Sequence, residues 1–162
     1  MSVLIRALTY STLFIGFLLV FLPARVLAWS GMVQPAEVGP AQVAGVILGA
    51  TGAALALWCI VTFIVRGRGT PAPFDPPRQL VVAGPYRMVR NPMYLGAALA
   101  LAGAALFYQS WALLLCCATF LLVTHLFVVA YEEPTLRATF GPAYLAYCQR
   151  VRRWTPRHNR TA

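Results

Sequence analysis

The sequence predicts an all-α, polytopic membrane protein with about four transmembrane helices, the last two in a tight hairpin, and further helices at the cytoplasmic side. Three observations carry that prediction. Of the 162 residues, 60% are hydrophobic and only 10% charged, far below the roughly 25% of a soluble chain. The apolar residues collect into four runs. The thirteen basic residues, all arginine, stand mostly at the ends of those runs. In a soluble protein a net charge of +9 would suggest nucleic acid, but arginine at run ends points to anionic lipid headgroups. Membrane lipids, and not nucleic acid, are therefore the expected partners.

The first run extends from about Ala7 to Leu22 and is closed by Pro23 and Arg25; the second, from Ala41 to Val65, is closed by Arg66 and Arg68. Each can cross a hydrocarbon layer of ~30 Å, the first only just. The third, Met93 to Phe107, reaches only ~23 Å at 1.5 Å per residue, so its ends must continue into the flanking segments. After the polar break Gln109–Ser110 a fourth run goes from Trp111 to about Ala130, and so short a break demands a tight turn. Twelve arginines fall on one side of this arrangement and only Arg25 on the other. The positive-inside rule then places both termini and the loop from Arg66 to Pro92 in the cytoplasm, with an inner (plasma) membrane as the expected location. Arg6, the first run and "VLA" at Val26–Ala28 also fit a signal peptide with its cleavage site; retention is the expectation, because Pro23 and Arg25 read equally as the end of a span.

The chain divides as one membrane domain, 1–162, into two N-terminal spans (1–65), a Pro/Gly/Arg-rich cytoplasmic loop (66–92) and a hairpin with C-terminal helices (93–157). The loop is expected to be an ordered cap or a re-entrant cover. Gly45 and Gly49 form GxxxG, and Gly96, Ala100 and Gly103 lie near one helix face, which predicts close helix packing. Cys59, Cys116, Cys117 and Cys148 show no CxxC spacing and read as small buried hydrophobes rather than metal ligands or disulfides.

Two stretches concentrate chemistry. In "GPYRMVRNPMYLG" (Gly84–Gly96), Pro92 fits the first turn of a helix, where its missing N–H costs nothing. Arg87 and Arg90 offer fork-shaped contacts to carboxylate or phosphate, and Tyr86 and Tyr94 offer aromatic faces; an interfacial anchor is the alternative. In "YEEPTLRATFGPAYLAYCQRVRRWTP" (Tyr131–Pro156), Glu132 and Glu133 stand where the fourth run leaves the membrane. They need a cationic partner, which the arginines of the first stretch or a ligand could supply, unless they merely favour a helix N-terminus beginning at Pro134. Gly141 and Pro142 break that helix and start another. Tyr144, Tyr147, Cys148 and Val151 then share an apolar face. His125, an ionisable residue inside the fourth run, is a functional candidate or an interhelical hydrogen-bonding group. Seven residues before Glu132, it is expected on nearly the same helix face.

In order and spacing, "GPYRMVRNPMYLG", the hairpin, "EE", "FGPAYLAYCQRV" and "RRWTP" resemble the isoprenylcysteine carboxyl methyltransferase family and the related phospholipid N-methyltransferases, over about Val81 to Arg157. The resemblance implies an S-adenosylmethionine-dependent methyltransferase without a Rossmann domain, acting on a lipophilic small-molecule or lipid acceptor. The implied cofactor-binding residues are Tyr86, Arg90, Asn91, Tyr94, Gly96, Glu132, Glu133 and Tyr144; Arg153 and His125 are the candidate catalytic residues, and His125 has no counterpart in the family pattern. That pattern has histidine where this chain has Asn91, which can hydrogen-bond but cannot titrate near neutral pH. A membrane reductase of the sterol-reductase type using NADPH, and a noncatalytic scaffold, are the rival functions. Motifs of dinucleotide domains, P-loops, zinc proteases and α/β-hydrolases are absent.

Overall fold

The computed structural model describes Thr9 and residues 16–31, 37–67 and 79–157. These form α1 (Leu22–Trp29), α2 (Pro40–Thr62), α3 (Pro92–Phe107), α4 (Trp111–Phe127) and α5 (Glu133–Arg150), with a 3₁₀ turn at Gly84–Arg87. Among the described residues there is no β-strand, only an isolated parallel bridge between Val89 and Arg152. Two helical stretches, Pro40–Arg66 and Trp111–Arg150, are long and apolar enough to cross a membrane; Gly16–Trp29 and Pro92–Phe107 are shorter apolar helices. The start of the first run with Arg6, Arg68 and Arg78 of the loop, and Arg160 lie outside the described residues.

Each start has a local cause. Gly39 and Pro40 open α2, and Gln42 folds its Oε1 back to accept the Gly39 N–H at 3.0 Å, which satisfies a donor the helix leaves free. Pro92 is the first residue of α3, as its fixed φ and missing N–H dictate. The polar break becomes a turn in which Gln109 takes φ 48°, and Ser110 caps α4 by accepting the Leu113 N–H at 3.3 Å.

Two prolines expected to close or open helices lie inside them. Pro23 sits in the first turn of α1, which continues to Trp29, with a π-helical turn at Gly16–Phe21 just before it; Val26–Ala28, the alternative cleavage site, are helical there. Pro134 does not begin a new helix either: α4 passes through a π-helical turn, Val128–Glu132, directly into α5. A proline ring clashes with the carbonyl one turn earlier in an α-helix, and the wider π turn relieves that clash without ending the helix. The real break is at Gly141, with φ 49° and ψ −124°, a region glycine enters without steric cost. Forty residues at 1.5 Å each would run ~60 Å, about twice the hydrocarbon thickness, so this bend turns the end of the stretch back toward the bundle.

The most extensive contact is between α2 and α3, and at its glycines backbone meets backbone. A Cβ on Gly52 would fall 2.4 Å from the Gly96 carbonyl oxygen, and one on Gly103 would fall 2.5 Å from the Gly49 nitrogen. Glycine lets the two backbones touch, as expected where lipid gives helices no hydrophobic reason to associate. Around this seam, Leu101 and Cys117 belong to one buried cluster, with Cys117 Sγ donating to the Ala98 carbonyl at 3.3 Å. Tyr144, Tyr147 and Val151 form a second cluster under α5. All four cysteines are free.

Candidate functional site

The turn before α3 is built to hold its residues still. Gly84, at φ 52°, has no room for a Cβ, which would meet Thr62 Oγ1 at 2.9 Å. The 3₁₀ turn then buries Tyr86, whose ring packs edge-on against Phe63 with centroids 5.0 Å apart. The Tyr86 carbonyl accepts the Tyr147 hydroxyl at 2.7 Å, which fastens this turn to α5. Val89 pairs with Arg152, and the Arg90 N–H donates to the Arg152 carbonyl at 2.9 Å.

These anchors bring the turn's polar side chains to the acidic pair at the start of α5. Glu133 is 5% exposed, and its carboxylate is surrounded by guanidinium groups. Arg153 donates Nε to Oε1 at 2.7 Å and Nη2 to Oε2 at 3.0 Å. Arg90 Nη1 lies 3.1 Å from Oε1, and the exposed Arg137 reaches Oε2 at 4.0 Å. Such fork-shaped pairing is what arginine provides and lysine does not. Burial pushes the Glu133 carboxyl up, but the Arg153 hydrogen bonds and the charges of Arg90, Arg153 and Arg137 outweigh it and hold the group below the usual carboxylate range.

Glu132 is held differently. Its Oε2 accepts the Tyr94 hydroxyl at 3.2 Å, and no described arginine or histidine forms an ion pair with it. Burial raises its carboxyl above the ordinary value, the Tyr94 hydrogen bond opposes this, and the neighbouring Glu133 charge adds to the rise. Two adjacent carboxylates thus differ sharply: one carries more positive charge than it needs, and the other, among the described residues, meets a hydroxyl and no cation. Arg90 adds an opening of its own, because its Nε is buried without a hydrogen-bond partner among the described residues. Its Nη1 also donates to Cys148 Sγ at 2.8 Å.

The predicted residues therefore converge in part. Arg90, Asn91, Tyr94, Glu132, Glu133 and Arg153 meet, with Asn91 Nδ2 donating to the Arg153 carbonyl at 3.3 Å, and buried Tyr144 lies where the Glu133 and Arg90 charges act on it. Arg153, a candidate catalytic residue, has two of its nitrogens on Glu133. Tyr86 is turned to the end of the Pro40–Arg66 stretch, where it packs on Phe63 and shares a buried cluster with Cys59. Gly96 is not in the cluster: a Cβ there would meet the Gly52 carbonyl at 2.8 Å, so it belongs to the seam. The π-helical turn alters the phase between His125 and Glu132, and His125 instead accepts the Trp154 Nε1–H on Nδ1 at 3.0 Å.

Sequence reasoning gave no role to Trp154 and treated Cys148 only as a packing residue. For Cys148 the signal was its place four residues after Tyr144, on the face turned to the arginines. For Trp154 there was none, since nothing in its spacing points to a partner on α4. Among the described residues no group of three His, Cys, Asp or Glu side chains could hold a metal ion. The donors that are present suit a small zwitterion: surplus guanidinium for a carboxylate, and Glu132 for a positive charge.

In comparison with known proteins, the phospholipid methyltransferase (PEMT) family matches residues 40–143, from the start of α2 through both acidic residues. No curated protein and no solved structure matches the chain.

Proposed function

We propose, starting from the fact that the chain belongs to the phospholipid methyltransferase family, that it transfers a methyl group from S-adenosylmethionine to a phospholipid headgroup amine. The observation that carries this proposal is the contrast between Glu133, saturated by arginine, and the half-buried Glu132, which meets a hydroxyl and, among the described residues, no cation. Even half-buried, a carboxylate without a counter-charge carries a desolvation cost, and a sulfonium or ammonium ligand would offset it. The surplus charge of Arg90 and Arg153, and the unpartnered Arg90 Nε, suit the carboxylate of the same cofactor. Tyr94, Asn91 and Tyr144 would border it.

When bound, S-adenosylmethionine supplies an electrophilic methyl carbon on a sulfonium. The residues of the chain then have two tasks. They hold cofactor and acceptor in line, which can account for most of the rate of such a displacement. They also receive the proton an acceptor ammonium must lose before its nitrogen can attack, and Glu132, with its raised affinity for protons, suits that step. In this reading the chain has four spans, the last two as a hairpin, with both termini cytoplasmic in an inner membrane. Residues 93–157, together with Arg90 and Asn91 just before them, carry the cofactor site and the lipid arrives from the bilayer.

The test is calorimetric titration of the detergent-purified protein with S-adenosylmethionine and, separately, NADPH. A second arm follows labelled methyl transfer in phosphatidylethanolamine vesicles, with phosphatidylglycerol vesicles as control. Saturable binding of S-adenosylmethionine alone is expected. Glu132→Gln should weaken it at least about tenfold, the worth of one charge-assisted contact, and label should enter only the amine lipid. NADPH binding in place of S-adenosylmethionine would make the protein a reductase and sink the proposal.

A further inference from the structure

The contact between Trp154 and His125 is one that methyl transfer does not itself require. Both side chains are half-buried, and the rings lie 6.1 Å apart between centroids. An indole N–H only donates, so the bond to His125 Nδ1 exists only while that nitrogen keeps its lone pair. The hydrogen bond therefore fixes the tautomer, with any ring proton of neutral His125 on Nε2.

What makes the contact consequential is where Trp154 stands. The helix ends at Arg150, and Val151 is extended, with φ −120° and ψ 127°, so the segment after it is held by bonds to other elements. The Arg152 carbonyl accepts from the Arg90 N–H, the Arg153 carbonyl accepts from Asn91, and the Arg153 side chain grips Glu133. These tie the segment to the turn before α3 and to α5. The Trp154 bond ties it to α4, and among the described contacts it is the polar one that does so.

We propose that His125 is a positioning residue: acting through Trp154, it pins the segment Val151–Trp154 to α4 and thereby keeps Arg153 on Glu133. The consequence falls on Glu132. An Arg153 released from its place has a second carboxylate next door, and by neutralising Glu132 it would remove the negative charge kept for the ligand. His125 touches neither cofactor nor acceptor in this scheme. The positioning role rests on the proposed S-adenosylmethionine site, whereas the pin itself does not.

Three variants of the full-length, detergent-purified protein test it. His125→Phe removes the acceptor and keeps a ring, Trp154→Phe removes the donor and keeps a ring, and His125→Asn places an amide oxygen near the position of Nδ1. Hydrogen–deuterium exchange without ligand reads the Arg90 amide, which is bonded to the Arg152 carbonyl; calorimetry reads S-adenosylmethionine affinity, and turnover gives KM and kcat. We expect His125→Phe and Trp154→Phe to speed exchange at Arg90 and weaken S-adenosylmethionine about five- to tenfold, as for one lost hydrogen bond. The loss should appear in KM with kcat within about twofold, and His125→Asn should restore both readouts.

Unchanged exchange in the two ring-preserving variants would overturn the pin. Faster exchange with unaltered affinity would overturn the positioning role, and so would an Asn variant as damaged as the Phe variant. Wild-type protein that binds no S-adenosylmethionine while exchange responds as expected would overturn the methyltransferase proposal and the positioning role with it. The exchange result still reports the pin separately.

Discussion

Where α2 crosses α3 the touching atoms are backbone: glycines at positions 45, 52, 96 and 103 leave no room for a methyl group on either helix. At the N-terminal end of α3 the contacts are of the opposite kind, with Glu133 gripped by Arg90 and Arg153, and Tyr94 bonded to Glu132. The seam depends on volume and is indifferent to charge. The polar clasp depends on charge and hydrogen bonding, and a change of protonation reaches it without any change of shape. A rigid seam that holds a titratable clasp in place separates stability from ligand binding, so each can be perturbed alone.

The largest effect is expected from breaking the seam. In Gly52→Leu the new Cβ would meet the α3 backbone at two points, the Gly96 carbonyl oxygen at 2.4 Å and the Ala100 nitrogen at 2.5 Å, and backbone cannot swing aside as the end of a side chain can. Overpacking of this kind costs up to about 3 kcal/mol or more, and thermal melting in detergent should show a protein largely unfolded or unrecoverable. Gly49→Ala is the control, because its Cβ would find its nearest neighbour, the Ala100 carbonyl, at 4.0 Å, and it should melt near wild type. Equal damage from both would mean that the seam is not the volume-limited contact described here.

An intermediate effect is expected when the clasp is titrated. Glu133 has a folded pKa below its unfolded value, so its contribution to stability is present above the unfolded value and lost only as pH falls through the lowered one. Glu132 has the opposite sign: its raised folded pKa means that it binds a proton first as pH falls, which relieves a cost and does not unfold the chain. Acidification should therefore weaken S-adenosylmethionine binding at a higher pH than that at which the melting temperature declines. Calorimetry and melting measured over one pH series check this, and coincident midpoints would show that the two carboxylates titrate as one unit. Glu132→Gln should remove the early binding loss and leave the later melting loss.

The parts of this arrangement that depend on one residue's own chemistry were legible in the sequence. Pro92 marked the start of α3, Gln109–Ser110 marked the turn, and the acidic pair's need for arginine was met at Glu133 by Arg90. What depends on the element across the gap was not. Gly96 shows in sequence only that it lacks a side chain, which fits a ligand approach as well as a helix approach, and the structure places it against Gly52. Pro23 and Pro134 show only a missing N–H and a bulky ring. A π-helical turn before each absorbs both, and no periodicity of the apolar residues announced it. His125 and Trp154 are twenty-nine positions apart, and their meeting follows from the bend at Gly141, whose direction the sequence does not encode locally.

The smallest effect belongs to the far end of the seam and is the sharpest test of its separation from the clasp. Gln42 is buried, accepts the Gly39 N–H and donates to the Phe107 carbonyl at 3.1 Å, joining the start of α2 to the end of α3. Gln42→Leu keeps the bulk and loses both hydrogen bonds, for which about 1 kcal/mol is expected, and hydrogen bonds between membrane helices average nearer ~0.6 kcal/mol. A small drop in melting temperature should result. Phe107 lies fifteen residues along α3 from Pro92, ~23 Å at the α-helical rise, so S-adenosylmethionine affinity should not move if seam and clasp are energetically independent. A matching fall in affinity would show that α3 transmits a shift at its far end to Asn91 and Tyr94, and the glycine seam would then count as part of the binding machinery rather than as its support.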